Sequence, residues 1–460
     1  SPLRCANGAD SLPSMLAMSD VVVGIDLGTT NSVAALLEGE RALFINNALG
    51  ESLTPSVVAM DQKSKSLIVG RPAREILSLN PSHAAGAFKR SMGSDELFDV
   101  GGRKLGATEL SAYVLSSLKH DAERSLGHPV DRCVVTVPAY FGEPQRQATQ
   151  KAATLAGFTV ERILNEPTAA AIAYGLEKRE DESVFMVFDL GGGTFDVCVM
   201  ELFEGLLEVK GVAGESRLGG EDFTEALLEL ALSLQEIDPS VARGYVKDYA
   251  ILWRRCELLK RQLSRWTQAE IELPAFGRAS TTAAMISREM ADQAFAPLLQ
   301  RMGIACRTAL RGAKVAPKDL DEIVLVGGAT RMPCVRAFVR ELFGRDALCE
   351  VDPDLVVAHG AAVQAALCEQ RGGDLDIVVT DIASHSLGVE STKILGGRKV
   401  DGFFSPIIHR NTTIPVSRSE VYSTLERNQS EILLKVYEGE HRRAQENNFI
   451  GELNVKGIPK

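Results

Sequence analysis

Two stretches decide how this chain is read: VVVGIDLGTTNS at residues 21–32 and FMVFDLGGGTFD at residues 185–196. Each carries an apolar run into Asp-Leu-Gly and then into Gly- and Thr-rich residues. A strand that ends in Asp and turns through glycines presents a carboxylate and bare backbone N–H groups at one point, which suits a magnesium-bound polyphosphate. Two copies point to two similar halves closing on one nucleotide from opposite sides. On this reading Asp26 and Asp189 hold magnesium through its waters, while Thr29, Thr30, Gly191, Gly192, Gly193 and Thr194 offer N–H and hydroxyl donors to phosphate. The plainer alternative is two tight turns, each with an Asp capping the backbone. A third glycine turn, GGATRMP at 327–333, allows close backbone approach at Gly327 and Gly328, and Arg331 supplies a flat cation able to stack on a base. Alone, that turn is equally well a strand-to-helix connection.

The rest of the chain bounds the answer. Its 460 residues are enough for two or three domains, each with its own core. The net charge of −11 argues against nucleic acid or an anionic membrane as the main partner. No uninterrupted apolar stretch is long enough to cross a bilayer. Eight cysteines occur without a CxxC pair, and Cys133 and Cys198 sit inside apolar strand patterns. That favours a reduced, cytosolic protein with buried thiols over a zinc site or disulfide frame. Residues 1–17 lack clear periodicity, and Met18 precedes the first strand, so 1–17 read as an extension or expression remnant.

Periodicity predicts strands at 21–26, 33–37, 42–46 and 66–70 and in SLTPSVVAM, followed by a helix near 72–79. A helix over about 108–126 places Leu110, Val114, Leu118 and Ala122 on one face and ends at Gly127. DRCVVTVPAYF reads as a buried strand ending at Pro138, and QRQATQKAATLAGF as a helix closed by Gly157. ERILNEPTAAAIAYGL reads as strand, turn and helix. The alternation restarts at 184 with strands 184–189, 196–201 and 206–212, a helix from Glu221, a long helix over 245–265, the strand IELPAF, and a helix capped by Ser287. Strand 322–326, helix 333–343 and helix 355–368 complete an α/β pattern. From about 383 the texture becomes short β-branched segments divided by turns, which predicts a small all-β module.

IDLGTTNS, VPAYF, NEPTAAAIAYG, DLGGGTFD, LGGEDF and LVGGATRMP, in this order, resemble the blocks of the seventy-kilodalton heat-shock proteins, the DnaK-type chaperones. The resemblance runs from about residue 20 to the end. FKRSMGS, VVTDIASHSLGVE and GFFSPIIHRNTTIPVSR look closest to the HscC branch of bacterial members. The resemblance implies a two-lobed, actin-like ATPase domain over 18–370, a linker over 371–382, and a partial β-sandwich for substrate over 383–460. Asp26, Gly28, Thr29, Thr30 and Asn31 then match the first phosphate loop, and Asp189 to Thr194 the second. Lys89 matches the lysine at the γ-phosphate and attacking water, with Glu166 and Asp196 as carboxylates near that water. Gly220 and Glu221 match the ribose-side turn. Glu257, Lys260, Arg261 and Ser264 match the adenosine contacts, and Gly327, Gly328, Arg331 and Asp354 complete the pocket. ATP or ADP, Mg2+ and K+ are the cofactors implied.

Hydrolysis at such a site is mostly positioning and charge neutralisation, and no strong base is evident, so slow turnover is expected. The resemblance further assigns Pro138 and Arg146 to a switch that relays nucleotide state. It makes the run IVV at 377–379, flanked by Asp374, Asp376 and Asp381, an edge strand that docks on the ATPase domain when ATP is bound. By pattern alone, Pro138 is an ordinary strand terminator and IVV is equally the first strand of the β module. Arg162, Asn165 and Asp381 fall where the family meets a J-domain partner; extended client polypeptides and a nucleotide-exchange factor are the other implied partners. Two departures stand out. The stretch between Lys89 and the helix at 108 is short, which trims one lobe, and the sequence stops inside the β module, so the peptide groove is expected to be missing, remodelled or completed by another chain. Competing readings are a small-molecule kinase on the same superfamily fold, using Glu166 or Asp196 as base, and a filament-forming or regulatory nucleotide sensor.

Overall fold

A computed structural model describes residues 21–39, 41–175, 182–203, 206–348, 351–369, 378–396, 398–426 and 428–458. The leading segment 1–17 and linker residues 371–377 lie outside the described residues. The first lobe runs β1 (Val22–Asp26), β2 (Asn31–Glu38), β3 (Arg41–Phe44), β4 (Thr54–Pro55), β5 (Val57–Met60), β6 (Leu67–Val69), α1 (Arg71–Leu79), β7 (Ala84–Gly86), β8 (Leu97–Val100), β9 (Arg103–Gly106), α2 (Ala107–Leu126), β10 (Arg132–Val137), α3 (Glu143–Leu155), β11 (Thr159–Asn165) and α4 (Glu166–Ala173). The second runs β12 (Ser183–Leu190), β13 (Phe195–Phe203), β14 (Leu206–Glu215), α5 (Gly220–Leu234), α6 (Pro239–Gly244), α7 (Val246–Leu263), β15 (Gln268–Leu273), β16 (Thr282–Ser287), α8 (Arg288–Ala313), β17 (Glu322–Val326), α9 (Pro333–Phe343) and α10 (Val356–Cys368). Then come β18 (Val378–Ile382), β19 (Leu387–Leu395), β20 (Arg398–Ile408), β21 (Thr413–Ile414), β22 (Glu431–Glu438) and β23 (Asn448–Lys456).

The two halves repeat one construction. In the first sheet, ordered β11-β10-β1-β2-β3 with β4 on β2, β1 pairs antiparallel with β2 and parallel with β10. In the second, ordered β17-β12-β13-β14-β18-β21, β12 pairs antiparallel with β13 and parallel with β17. Asp26 closes β1 and Asp189 stands one residue before the end of β12, each leading into a turn and an antiparallel return strand. The central strands are apolar on both faces because helices cover both, the expected burial for mostly internal sheets. Phe185, Val187, Cys198 and Val324 fill one side of the second sheet, while Met186, Phe188, Val197 and Leu325 fill the other.

α10 stitches the lobes together. A Cβ at Gly24 of β1 would lie 2.3 Å from the Ala362 amide of α10, and one at Gly360 would lie 1.8 Å from the Ala169 carbonyl of α4. Only glycine permits these two close approaches.

Most predicted elements appear within a residue or two. Leu110, Val114, Leu118 and Ala122 all face the core of α2, and Gly127 caps it with φ +75°. Ser287 caps α8 through its side chain, which accepts from the Met290 amide. Four differences stand out. β11 passes into α4 with no intervening turn, since Glu166 already starts the helix and Pro167 occupies its first turn, where a missing N–H costs nothing. The short stretch after Lys89 holds a hairpin, β8–β9. IELPAF has a partner strand, β16, that its sequence did not announce. In TTIPVSRSEVYST only Thr413–Ile414 is strand; Pro415 brings no N–H to continue a ladder.

The described part of the β module is one antiparallel sheet, β20-β19-β22-β23, with a core cluster of only Phe404, Tyr437 and Ala444. β18 does not join that sheet. It pairs parallel with β14 of the second lobe, Leu206 opposite Val378 and Glu208 opposite Thr380, and antiparallel with β21. The part of the IVV run that is described is therefore an added edge strand of the ATPase lobe.

Candidate functional site

Both Asp-Leu-Gly turns meet at the floor of the cleft. Lys89 lies in a short 3-10 turn, Phe88–Ser91, and is only 3% exposed. Its Nζ donates to Glu166 Oε1 at 2.6 Å and stands 5.7 Å from the centroid of the Phe141 ring. Asp189, Asp196 and Glu166 are buried beside it. Burial first, and Glu166 second, raise Asp26 and Asp196 each to about 7 and Asp189 well above the usual carboxylate range, with Lys89 pulling all three down. Four carboxylates thus surround one ammonium. A desolvated cluster so short of positive charge favours a bound cation.

The fit to a hydrated cation and phosphate is specific. Among the described residues no three His, Cys, Asp or Glu side chains converge as a direct metal-ligand set, so a metal here would be held through its waters. Thr30 Oγ1 is buried without a hydrogen-bond partner, an orphan polar atom at the first phosphate loop. In the second loop every glycine carbonyl is already used. The Gly220 amide donates to Gly191 O at 2.9 Å, the Glu221 amide to Gly192 O at 2.8 Å, and Arg90 Nε to Gly193 O at 2.9 Å. In a trans peptide the N–H points opposite to the preceding C=O. The amide hydrogens of Gly192, Gly193 and Thr194 therefore point away from those donors. The two loops touch: a Cβ on Gly192 would fall 1.8 Å from Thr30 Oγ1, and one on Gly193 2.4 Å from Thr29 Cγ2.

Of the remaining expected contacts, Asn31, Arg261 and Asp354 line a cavity between the lobes. That cavity, of about 730 Å3, opens between Asn31 and Arg74 of the first lobe and Arg261 and Asp354 of the second. Lys260 Nζ donates to Gly220 O at 2.5 Å and to Thr224 Oγ1 at 2.8 Å, tying α7 to the start of α5. Burial alone would raise Glu257, yet Lys260, Thr224 and Arg261 bring it below its usual value. Burial lifts Glu221 to about 7. Gly327, at φ +83°, lets the third turn lie against the Leu190 carbonyl, and a Cβ on Gly328 would lie 2.5 Å from Asp354 Oδ1. Two side chains have protein partners that the sequence did not announce. Arg331 is held by Asp352 at 2.6 Å and Asp354 at 3.0 Å, ion pairs that fix the position of its guanidinium. The Ser264 hydroxyl donates to Lys260 O, 3.1 Å away in its own helix.

Sequence reasoning missed four supports. Arg74 donates to Thr30 O at 2.8 Å and to Asn31 Oδ1 at 2.9 Å, bracing the first loop from α1. Thr136 Oγ1 donates to Asp26 Oδ1 at 3.1 Å, and the Tyr140 amide donates to Asp196 Oδ1 at 3.0 Å. Arg90, which also pairs with Asp222, is next to Lys89 in the FKR block, and Tyr140 is inside VPAYF. Those two had a signal; Arg74 and Thr136 had none beyond ordinary helix and strand positions.

The VPAYF turn also meets the β module. Arg146 donates to Phe141 O at 3.1 Å and to Asn165 Oδ1 at 2.6 Å, and Asn165 in turn donates to Asp381 of β18. Burial raises Asp381 against the pull of Arg146 and Arg162. The Glu143 amide, at the start of α3, donates to the Glu438 carboxylate, and Arg410 reaches the Val212 carbonyl.

A family model described as Hsp70 protein matches residues 22–99 and 97–460. The chain belongs to the Hsp70 family. It is 41% identical over 456 residues to the chaperone protein DnaK of Thermotoga petrophila and to that of Thermotoga maritima, spanning 97% of this chain and 75% of each relative. The DnaK of Thermosipho melanesiensis is 39% identical over 455 residues, spanning 97% of this chain and 74% of that protein. As an Hsp70 this chain is an ATP-dependent molecular chaperone, an ATPase whose nucleotide cycle is coupled to client polypeptides. The kinase and filament readings are not favoured by these likenesses. Among the described residues no helix is long and apolar enough to cross a membrane.

Proposed function

We propose that ATP is hydrolysed where Lys89, Glu166, Asp189, Thr194 and Asp196 meet, and that the result is passed to the β module through the VPAYF turn. The observation that carries this is the cluster of four carboxylates around one buried ammonium. Lys89 Nζ neutralises charge on the transferring phosphoryl group, and Glu166 and Asp196 orient the attacking water in line. The amide hydrogens of Gly192, Gly193 and Thr194, with the Thr29 and Thr30 hydroxyls, bind phosphate oxygens. Asp26 and Asp189 hold Mg2+ through water; when bound it supplies Lewis-acid charge neutralisation, and K+ is a second ion the acidic floor would accept. Glu221, Glu257, Lys260, Arg261 and Asp354 hold ribose and base.

The working boundaries are an ATPase body over 18–370, a linker over 371–382 and a peptide-binding β module from 383. By the Hsp70 likeness, Arg162, Asn165 and Asp381 are the contact for a J-domain co-chaperone; within the chain Asn165 donates to Asp381 and Arg162 to Gln364 at 3.1 Å. A nucleotide-exchange factor and a cytoplasmic location complete the reading. Titration calorimetry with ATP and Mg2+ tests it. The wild-type chain should bind one nucleotide, and Asp26→Ala and Asp189→Ala should each weaken binding at least tenfold. Unchanged affinity in both variants would remove the acidic floor from the site.

A further inference from the structure

His385 lies between the β module and the ATPase body. Its ring centroid is 4.5 Å from that of Tyr140, tilted by 53°, and its Nδ1 is 3.1 Å from Ser384 Oγ, which donates to Phe141 O at 3.4 Å. Tyr140 is the residue whose amide holds Asp196. The Arg410 guanidinium also stands 5.7 Å from the Tyr140 centroid. The charged groups facing His385 are Arg410, Arg146 from α3, and Glu440 from the segment after β22. Glu440 is already engaged by Ser386, accepting from its amide at 2.8 Å and its hydroxyl at 3.1 Å. Tyr140 itself feels Arg410, Glu440, Asp196 and Glu215, and burial raises its phenol. A proton on His385 would place a second cation beside Arg410 and Arg146 in a desolvated interface, with its one acidic neighbour otherwise occupied.

We propose that His385 is a pH-sensitive docking residue, which must be uncharged for the β module to seat on Tyr140, the residue whose amide holds Asp196. This rests on the hydrolysis site proposed above. Burial first, then Arg410, holds the seated imidazole at about 4, against about 6.5 for a solvent-exposed one. The sign follows. The undocked state takes up the proton first, so acid favours undocking, and the docked state is fully favoured only above pH 6.5. With those two values the docking equilibrium falls about tenfold between pH 7.5 and pH 5.5.

The experiment uses the full chain saturated with ATP and Mg2+, with nucleotide binding confirmed by calorimetry at each pH, so that failure of the nucleotide site is seen separately. Docking is read from the rate of proteolysis within 371–382, and kcat is measured in parallel. The wild-type cleavage rate should rise about tenfold from pH 7.5 to 5.5. His385→Gln should flatten that response, and His385→Arg should be cleaved rapidly at both pH values. A flat wild-type profile, or a His385→Gln variant that keeps the wild-type slope while melting normally, would overturn the proposal.

Discussion

The ATPase body and the β module are stabilised in different ways. The body is organised around three large apolar clusters, with Phe188, Phe195, Phe223 and Leu228 fully buried in one of them. The described part of the module has a three-residue cluster, and Leu433, Phe449, Leu453 and Val455 stay exposed on its strands. Its order is supported instead from the body: by Asp381 on Asn165, Glu438 at the start of α3, Arg410 on Val212, and β18 on β14. The comparison teaches that the module reports on the body. An element with little core of its own takes its position from contacts that a small change in the body can give or withdraw.

Truncating a core phenyl should break this contrast most. Phe188→Ala should cost about 3–5 kcal/mol in chemical denaturation of the body. Phe404→Ala in the module should cost less than half as much and leave the body's transition in place. Equal losses would mean the two parts unfold as one unit. Next in size, Lys89→Ala should lower the steady-state ATPase rate by about 10^2–10^3-fold, the range seen when a preorganised charge is removed from a transition state. Its melting temperature should fall as well, because Glu166 is left buried without its ion-pair partner.

A smaller effect is expected at the junction. Asp381→Ala leaves the Asn165 side-chain amide without its acceptor, and linker proteolysis in ATP should quicken about tenfold, matching a charge-assisted hydrogen bond of about 1.5 kcal/mol. ATP affinity should be unchanged. The smallest effect is protonic. Asp26 and Asp196, at about 7, are each half-protonated at neutral pH without ligand. Binding ATP with Mg2+ should expel about one proton, measurable by calorimetry in two buffers of different ionisation enthalpy, and affinity should weaken as pH falls from 8 to 6. Because these pKa values are raised on folding, their contribution favours the ligand-free fold below the ordinary carboxylate range. It is lost as pH rises towards 7.

Much of the body was legible beforehand. The two Asp-Leu-Gly turns could be read locally because a strand, a carboxylate and glycines occupy a dozen consecutive residues, and their pairing in β1–β2 and β12–β13 follows from the same stretches. Helix α2 was legible because one apolar stripe and one terminal glycine define it. The supports of the site were not. Arg74 reaches Thr30 across 44 residues and Thr136 reaches Asp26 across 110, and nothing in the neighbouring sequence of either side chain marks the partner. Even the recognised residues gained partners once packed, as Arg331 did with Asp352 and Asp354.

By itself, then, the sequence determined where phosphate can be gripped, which carboxylates and which lysine are at hand, and where the texture turns from α/β to all-β. These properties depend on side chains and backbone freedom within a few residues of one another. The tertiary structure alone decided that four carboxylates share one ammonium, that β18 becomes an edge of the second lobe, and that Tyr140 lies between Asp196 and His385. Those outcomes depend on contacts between residues as far apart as Glu143 and Glu438, 295 positions along the chain, whose meeting is set by the packing of whole elements rather than by any local preference.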